Sequence, residues 1–305
     1  MTAEEKPRSF FSNIFTSSDE PRLRAGWRLF LHLLIMIPIG LLSGALSKVL
    51  FPFWHGGALR DQLVSLITMT LSVFIARRWF DKRSFSSLGL KLNKKAWIDL
   101  LAGIVITFLM MGFIYLIMWS VGWINFENFA WEVESASSVT LNLLGILAVF
   151  ILVGWNEELL SRGYQLQNLA DGMNLFWGIT ISSAVFGILH LGNPNATWLS
   201  AVGIFFAGIF LAYGYVLTKQ LWLPIGLHIG WNFFEGVIFG FPVSGMDFFR
   251  LTRISVDGPE LWTGGAFGPE AGLIVIPALI LGTGLIYFYT KNDQDTDEDE
   301  VIYAA

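Results

Sequence analysis

The sequence has no cysteine among its 305 residues. This absence excludes a disulfide framework, a thiolate metal site and a cysteine nucleophile. The sequence also lacks an HExxH motif, so it carries no zinc-protease signature of that kind. Lys and Arg number only 19 and are too scattered to form a nucleic-acid-binding surface. We therefore expect no nucleic-acid partner.

The chain is rich in hydrophobic residues and poor in charged ones. They make up 54% of the chain against 14% charged residues, and the mean hydropathy is +0.59. This balance predicts an all-α, polytopic helical membrane bundle with lipid as a partner. A span needs about 20 apolar residues. Eight segments meet or approach that length, at about 27–50, 61–79, 97–122, 139–160, 175–192, 197–218, 223–240 and 270–290.

The positions of Lys and Arg predict the orientation of the spans. Basic residues cluster before the first span and between the second and third, whereas the connection at 123–138 has none. Both clusters are expected in the cytoplasm, and eight spans then return both termini to that side. The first residues lack an apolar run, which predicts no cleavable signal peptide. The absence of accessory domains favours a bacterial or archaeal plasma membrane.

The domain organisation follows from the spans. We predict a cytoplasmic N-terminal segment at 1–26, a single transmembrane domain at 27–290 with its core at 139–240, and an acidic cytoplasmic tail at 291–305. No internal repeat is visible in the sequence. This argues against a proton-coupled transporter assembled from duplicated halves.

Ionisable residues inside one span carry the first functional signal. The stretch WNEELLSR places Glu157, Glu158 and Arg162 at the end of an apolar run, and each such group costs at least ~2.5 kcal/mol in lipid. Glu158 and Arg162 share a helix face at i, i+4. They can therefore form a structural ion pair, whereas Glu157 is turned ~100° away and has no local cation.

The four histidines divide into two groups. His32 and His55 are expected at the membrane interface. His190 ends SSAVFGILH one turn after Phe186, and His228 shares a helix face with Asn232. The His228 and Asn232 side chains can bridge helices by hydrogen bonding or serve a reaction. The fourth, fifth and seventh spans thus each bring polar side chains into the bundle, with Glu235 expected to face a cavity nearby.

Taken in order, the motifs EExxxR, FxxxH and HxxxN resemble the signature of the CPBP family of intramembrane proteases. That family includes the type II CAAX prenyl endopeptidases and bacteriocin-immunity proteins. The matching residues are Glu157, Glu158, Arg162, Phe186, His190, His228 and Asn232. The resemblance covers about 140–240 and extends more loosely to GGAFGPEAG at 264–272.

The resemblance implies a CAAX-protease-like endopeptidase and a role for each of these polar residues. Glu157 and His190 would hold the attacking water, and His228 with Asn232 would stabilise the oxyanion. Glu158 and Arg162 would form an orienting pair that also helps to bind a substrate carboxylate. The resemblance further implies a peptide or protein substrate, and leaves open whether that substrate is prenylated.

The catalytic type stays open between a metalloprotease and a metal-independent glutamate protease. If zinc is the cofactor, Glu157, His190 and His228 are the expected ligands. Asn232 is a poor zinc ligand but a competent oxyanion donor, which favours the metal-independent alternative. A non-catalytic membrane immunity or scaffold protein is a third reading, in which the polar cluster only stabilises the bundle.

The depth of the site poses a geometric conflict. Polar residues follow Glu157 closely, which predicts a site toward the cytoplasmic leaflet, and a turn expected at 171–174 would bring His190 level with Glu157. However, Asn193 and Pro194 follow His190 and predict the far end of that span. A short or re-entrant fifth span would resolve the conflict.

Overall fold

The computed structural model describes residues 14–17, 22–52 and 57–303, so the prediction for His55 lies outside the described residues. Eight principal helices in this part of the chain correspond to the eight predicted spans. They are α1 (Ala25–Leu50), α2 (Ala58–Trp79), α3 (Lys94–Ser120), α4 (Ala136–Gly172), α5 (Leu175–Leu189), α6 (Trp198–Thr218), α7 (Trp222–Asn232) and α8 (Val275–Tyr303). The predicted helical membrane bundle is confirmed.

The helices differ in length, and the differences matter for the site. Six of the described helices, α1 to α6 with the turn that follows α5, are long and apolar enough to cross a membrane. α7 has 11 α-helical residues and continues as a π-helix over Phe233–Ile238. α8 begins at Val275, later than predicted, because Pro269–Ala271 forms a separate 3₁₀ turn. The chain is an integral membrane protein.

A small antiparallel sheet joins two of the connections. β1 (Ile124–Phe129) follows α3, and β2 (Thr252–Val256) lies in the long segment between α7 and α8. Ile124 pairs with Val256 and Phe126 with Ile254, and an irregularity follows Phe126. Both strands lie in connections between predicted spans, where no strand was predicted. The sheet therefore holds the long segment after α7 against the end of α3.

Close contact between α3 and α7 holds the helix that carries His228 and Asn232. A Cβ atom at Gly226 would overlap the carbonyl oxygen of Leu100, and one at Gly230 would overlap the side chain of Thr107. Small residues allow such close backbone approach between membrane helices. The position of α7 is therefore fixed along α3.

His32 is not at the membrane interface as predicted. Its side chain is buried between α1 and α2, with Nε2 3.2 Å from Ser72 Oγ and its ring beside that of Tyr164. The error arose because a lone polar residue near the start of an apolar helix shows no sign of which face it occupies. The packing of α2 and α4 against α1 decides that face.

Candidate active site

Local helix geometry changes at the motif residues. α4 is α-helical through Glu158, becomes a π-helix over Leu159–Leu166, and is α-helical again to Gly172. α7 changes to a π-helix directly after Asn232. Such π segments occur often at functional sites because the wider turn re-aims side chains.

The α4–α5 hairpin resolves the conflict over depth. Its turn lies between Gly172 and Leu175, where it was predicted. Glu157 lies fifteen residues before Gly172, which is about 22 Å of helix. α5 with its 3₁₀ turn spans only Leu175–Gly192, so His190 at the end of a short helix lies level with Glu157 part-way along a long one.

The short alternative for the fifth span agrees with the 18 residues of Leu175–Gly192. α5 is a continuous helix that packs antiparallel to α6: Gly187 lies against Ala201, and Gly208 lies against Ser183. The short length of α5 brings His190 level with Glu157.

Glu157 faces both motif histidines. Its Oε2 atom lies 3.9 Å from His190 Nε2 and 3.8 Å from His228 Nε2. These distances are too long for direct hydrogen bonds and suit a bridging water. Oε2 is buried and accepts no hydrogen bond from any described residue. α4, the end of α5 and α7 thus converge on one carboxylate oxygen.

The hydrogen bond of Nδ1, the ring nitrogen that does not face Glu157, decides the tautomer of His190. Nδ1 lies 2.8 Å from the carbonyl oxygen of Phe186. A carbonyl oxygen can only accept, so Nδ1–H must be the donor. In the neutral ring, Nε2 then presents a lone pair toward Glu157.

Glu158 makes the central contacts of the site. Its Oε1 atom accepts hydrogen bonds from Arg162 Nη1 at 2.7 Å and from His228 Nδ1 at 2.8 Å. Arg162 also donates to the carbonyl oxygen of Gly208 at 3.1 Å and stacks over the ring of Phe186. Both Glu158 and Arg162 are fully buried. The pair predicted from the i, i+4 spacing therefore also fixes the orientation of His228.

A cavity of about 640 Å³ lies in front of these residues. Glu157, His190, His228 and Asn232 line it, whereas Glu158 and Arg162 lie behind its wall. The expectation that Arg162 helps to bind a substrate carboxylate is therefore corrected, because its guanidinium is enclosed by Glu158, Gly208 and Phe186. Four of the six predicted residues line the cavity, and the other two lie behind its wall, where Glu158 contacts His228.

Sequence reasoning assigned no role to several polar residues of the cavity wall, and three of them lie on or near α7 and α8. These three are Trp231, Ser244 and Glu270. The stretch that contains Glu270 was noted only as a loose resemblance, and nothing in the local sequence indicated that it reaches His190 and α7. That contact depends on how the segment after α7 folds back.

The donor types around Glu157 suit zinc, but their spacing does not. Zinc bonds of about 2.0–2.2 Å place two ligand atoms roughly 3.3 Å apart. The two Glu157–His distances are about half an ångström longer. In the described part of the chain, no group of three His, Cys, Asp or Glu residues is arranged to hold a metal ion. The geometry thus gives no support to the metalloprotease alternative.

We predict that Glu158→Gln destabilises the fold by about 3–5 kcal/mol, because it leaves the buried Arg162 guanidinium uncompensated. Thermal unfolding of the purified protein in lipid nanodiscs measures the effect. Glu132→Gln, at an exposed position, is the matched control. The double variant Glu158→Gln with Arg162→Leu should recover part of the loss, and strictly additive losses would contradict a buried ion pair.

Comparison with known proteins agrees with the motifs. Residues 139–234 match the family model described as "Type II CAAX prenyl endopeptidase Rce1-like". A stretch of 78 residues, 26% of the chain, is 36% identical to the Bacillus subtilis protein named "Putative membrane peptidase YdiL". That stretch covers 30% of the relative's length.

A second relative matches over a longer range. The Bacillus subtilis protein named "Uncharacterized protein YyaK" is 25% identical over 231 residues, which cover 68% of this chain and 76% of the relative. The family match contains all six predicted site residues. The chain is thus a membrane protein whose residues 139–234 are similar to the Rce1-like family of type II CAAX prenyl endopeptidases.

Proposed function

We propose that the protein is a membrane-embedded endopeptidase that hydrolyses a peptide bond with a water held between Glu157 and His190. The 3.9 Å gap between Glu157 Oε2 and His190 Nε2 is the observation that carries the proposal. Both atoms are hydrogen-bond acceptors when Glu157 is a carboxylate and His190 is the neutral Nδ1–H tautomer. A water that donates one O–H to each would present its free lone pair to a substrate carbonyl carbon.

Glu157 and His190 also serve the proton transfers that follow. Glu157 takes a proton from the attacking water, and its carboxylic acid returns that proton to the leaving amine. The Glu157 side chain is about one-third exposed to the cavity, so it can reach both positions. His190 keeps the water oriented toward the carbonyl carbon. It also shares the positive charge that develops on the attacking water.

The oxyanion is assigned to the donors on α7. Asn232 offers a side-chain N–H, and His228 offers Nε2–H when its ring is an imidazolium. Glu158 favours that imidazolium because it accepts from Nδ1. With that imidazolium, the four buried or half-buried groups have no net charge together: Glu157 and Glu158 are negative, and Arg162 and His228 are positive. Preorganised donors of this kind stabilise developing charge without reorganisation.

The substrate class follows from the position of the cavity among membrane helices. Its walls are largely apolar and include Phe150, Val153, Phe210 and Leu279, so a peptide segment in an extended, unpaired form is the proposed ligand. Presentation of that segment at the cytoplasmic face rests on the positions of the basic residues alone. Whether a prenyl group is required is decided by the substrate arms of the test.

We predict that Glu157→Gln and His190→Ala each lower peptide cleavage by about 10²–10⁴-fold, the range expected for loss of general-base catalysis. The assay uses purified protein in lipid nanodiscs and a fluorogenic peptide library, with and without a farnesylated C-terminal cysteine motif. Both variants should keep the thermal midpoint of the wild type, because neither residue belongs to the Glu158–Arg162 pair.

His32→Gln is a control histidine variant remote from the cavity. Cleavage that survives both active-site substitutions would overturn the mechanism. It would also favour the non-catalytic scaffold, in which the buried contacts of Glu158 with His228 and of Arg162 with Gly208 serve only to hold three helices together. Loss of cleavage in His32→Gln at unchanged stability would show that the assay does not report on the proposed site.

We predict that Asn232→Ala lowers kcat by about 10²–10³-fold with little change in KM, as for the loss of one oxyanion donor. Asn142→Ala, on the exposed face of α4, is the matched control. A rise in KM with unchanged kcat would instead assign Asn232 to substrate binding.

We predict that dialysis against a chelator leaves cleavage unchanged, because the spacing of Glu157 and the two histidines departs from that of zinc ligands. Metal content is measured on the same active sample. Stoichiometric zinc, with activity lost on chelation and restored by zinc, would overturn the metal-independent assignment and make those three residues its ligands.

A further inference from the structure

A second pair of carboxyl groups lies beside the cavity and takes no part in the proposed reaction. Glu235 belongs to the π-helical end of α7, and Glu270 to the 3₁₀ turn before α8. Their exposed fractions are 0% and 5%. Among the described residues, neither forms an ion pair with Lys or Arg. Two buried acids without a cation require another source of stabilisation.

Glu270 has a full set of donors. Trp231 Nε1–H donates to its Oε1 at 3.0 Å, and the backbone N–H and hydroxyl of Ser244 donate to Oε2 at 2.8 and 2.6 Å. The short hydroxyl contact is typical of an O–H group that donates to a carboxylate. These three donors make Glu270 the ionised member of the pair.

Glu235 is the opposite case. Neither of its carboxyl oxygens accepts a hydrogen bond from any described residue, although both are buried. The charged group that faces it is the carboxylate of Glu270. An ionised carboxylate in this buried position would meet the like charge of Glu270. A protonated Glu235 would instead donate its own O–H to Glu270.

We propose that Glu235 and Glu270 share one proton at neutral pH, and that this acid–carboxylate pair positions Trp231 and Ser244 in the wall of the catalytic cavity. Trp231 precedes Asn232 on α7, and Ser244 belongs to the segment that folds back after α7. Glu270 binds both. The pair therefore fixes the distance between the helix that bears the oxyanion donors and the opposite wall.

The two acids have opposite hydrogen-bonding requirements. The same Glu→Gln substitution should therefore have different effects at the two positions. Glu235 must supply a donor, and the amide of Glu235→Gln can replace the O–H. Glu270 must supply acceptors only, and the NH₂ group of Glu270→Gln would oppose the Trp231 or Ser244 donors. Glu235→Ala removes the donor and leaves the buried Glu270 carboxylate with one hydrogen bond fewer.

The first test is infrared spectroscopy of the protein in lipid at neutral pH. The wild type should show the C=O stretch of a protonated carboxylic acid, and that band should be absent from Glu235→Gln and shifted in Glu270→Gln. A band that is unchanged in Glu235→Gln, or absent from the wild type, would overturn the shared proton. This test is independent of the proposed peptidase function.

The second test compares stability and cleavage across the same variants. Glu235→Ala should lower the thermal midpoint, and Glu235→Gln should restore it. Glu270→Gln should lower kcat roughly tenfold or more through misplacement of the cavity wall, whereas Glu235→Gln should stay close to the wild type. Equal damage from the two Gln variants, or none from either, would overturn the positioning role.

The cleavage measurement rests on the proposed function, whereas the infrared and stability measurements do not. If the wild type cleaves no peptide, the infrared band and the rescue of stability by Gln at position 235 still decide whether the acid pair exists. Failure of the proposed function and failure of this inference are thereby distinguished.

Discussion

The buried carboxylate of Glu158 is the contact on which the site depends. One oxygen of this group accepts from both Arg162 and His228, and Arg162 continues to Gly208 on α6. Charges removed from water are costly unless geometry and hydrogen bonding compensate them. Because the contacts link α4, α6 and α7, any displacement of one helix would expose an unpaired charge. The same network that stabilises the bundle therefore sets the ring of His228 toward Glu157.

Much of the site could be predicted because its geometry is local. The i, i+4 spacing paired Glu158 with Arg162, and it placed His228 and Asn232 on one face. The turn near 171–174 was visible as a polar break between apolar runs, and it predicted that α4 and α5 would be antiparallel. Hydropathy alone was enough to predict the eight helices, because each must satisfy its own backbone hydrogen bonds in lipid.

The features that could not be predicted depend on long-range packing. The turn at 171–174 predicted that His190 lies level with Glu157, but the sequence left open whether the fifth span is short or re-entrant, because that depends on how α5 packs against its neighbours. Whether Arg162 faces the cavity or lies behind its wall depends on the approach of Gly208 from α6. The contact of Glu270 with Trp231 requires the segment after α7 to fold back. The sheet was a different omission, since INFENF alternates apolar and polar residues in the way that favours a strand.

The central claim is that a water held by Glu157 and His190, rather than the Glu157 carboxylate itself, attacks the peptide carbonyl. Single-turnover cleavage in water enriched in heavy oxygen tests this most directly, with mass spectrometry of both the product and the Glu157-containing peptide of the enzyme. The account predicts one heavy oxygen in the new carboxylate of the product and none in Glu157. Heavy oxygen in Glu157 after one turnover would show a covalent acyl-enzyme and contradict the account.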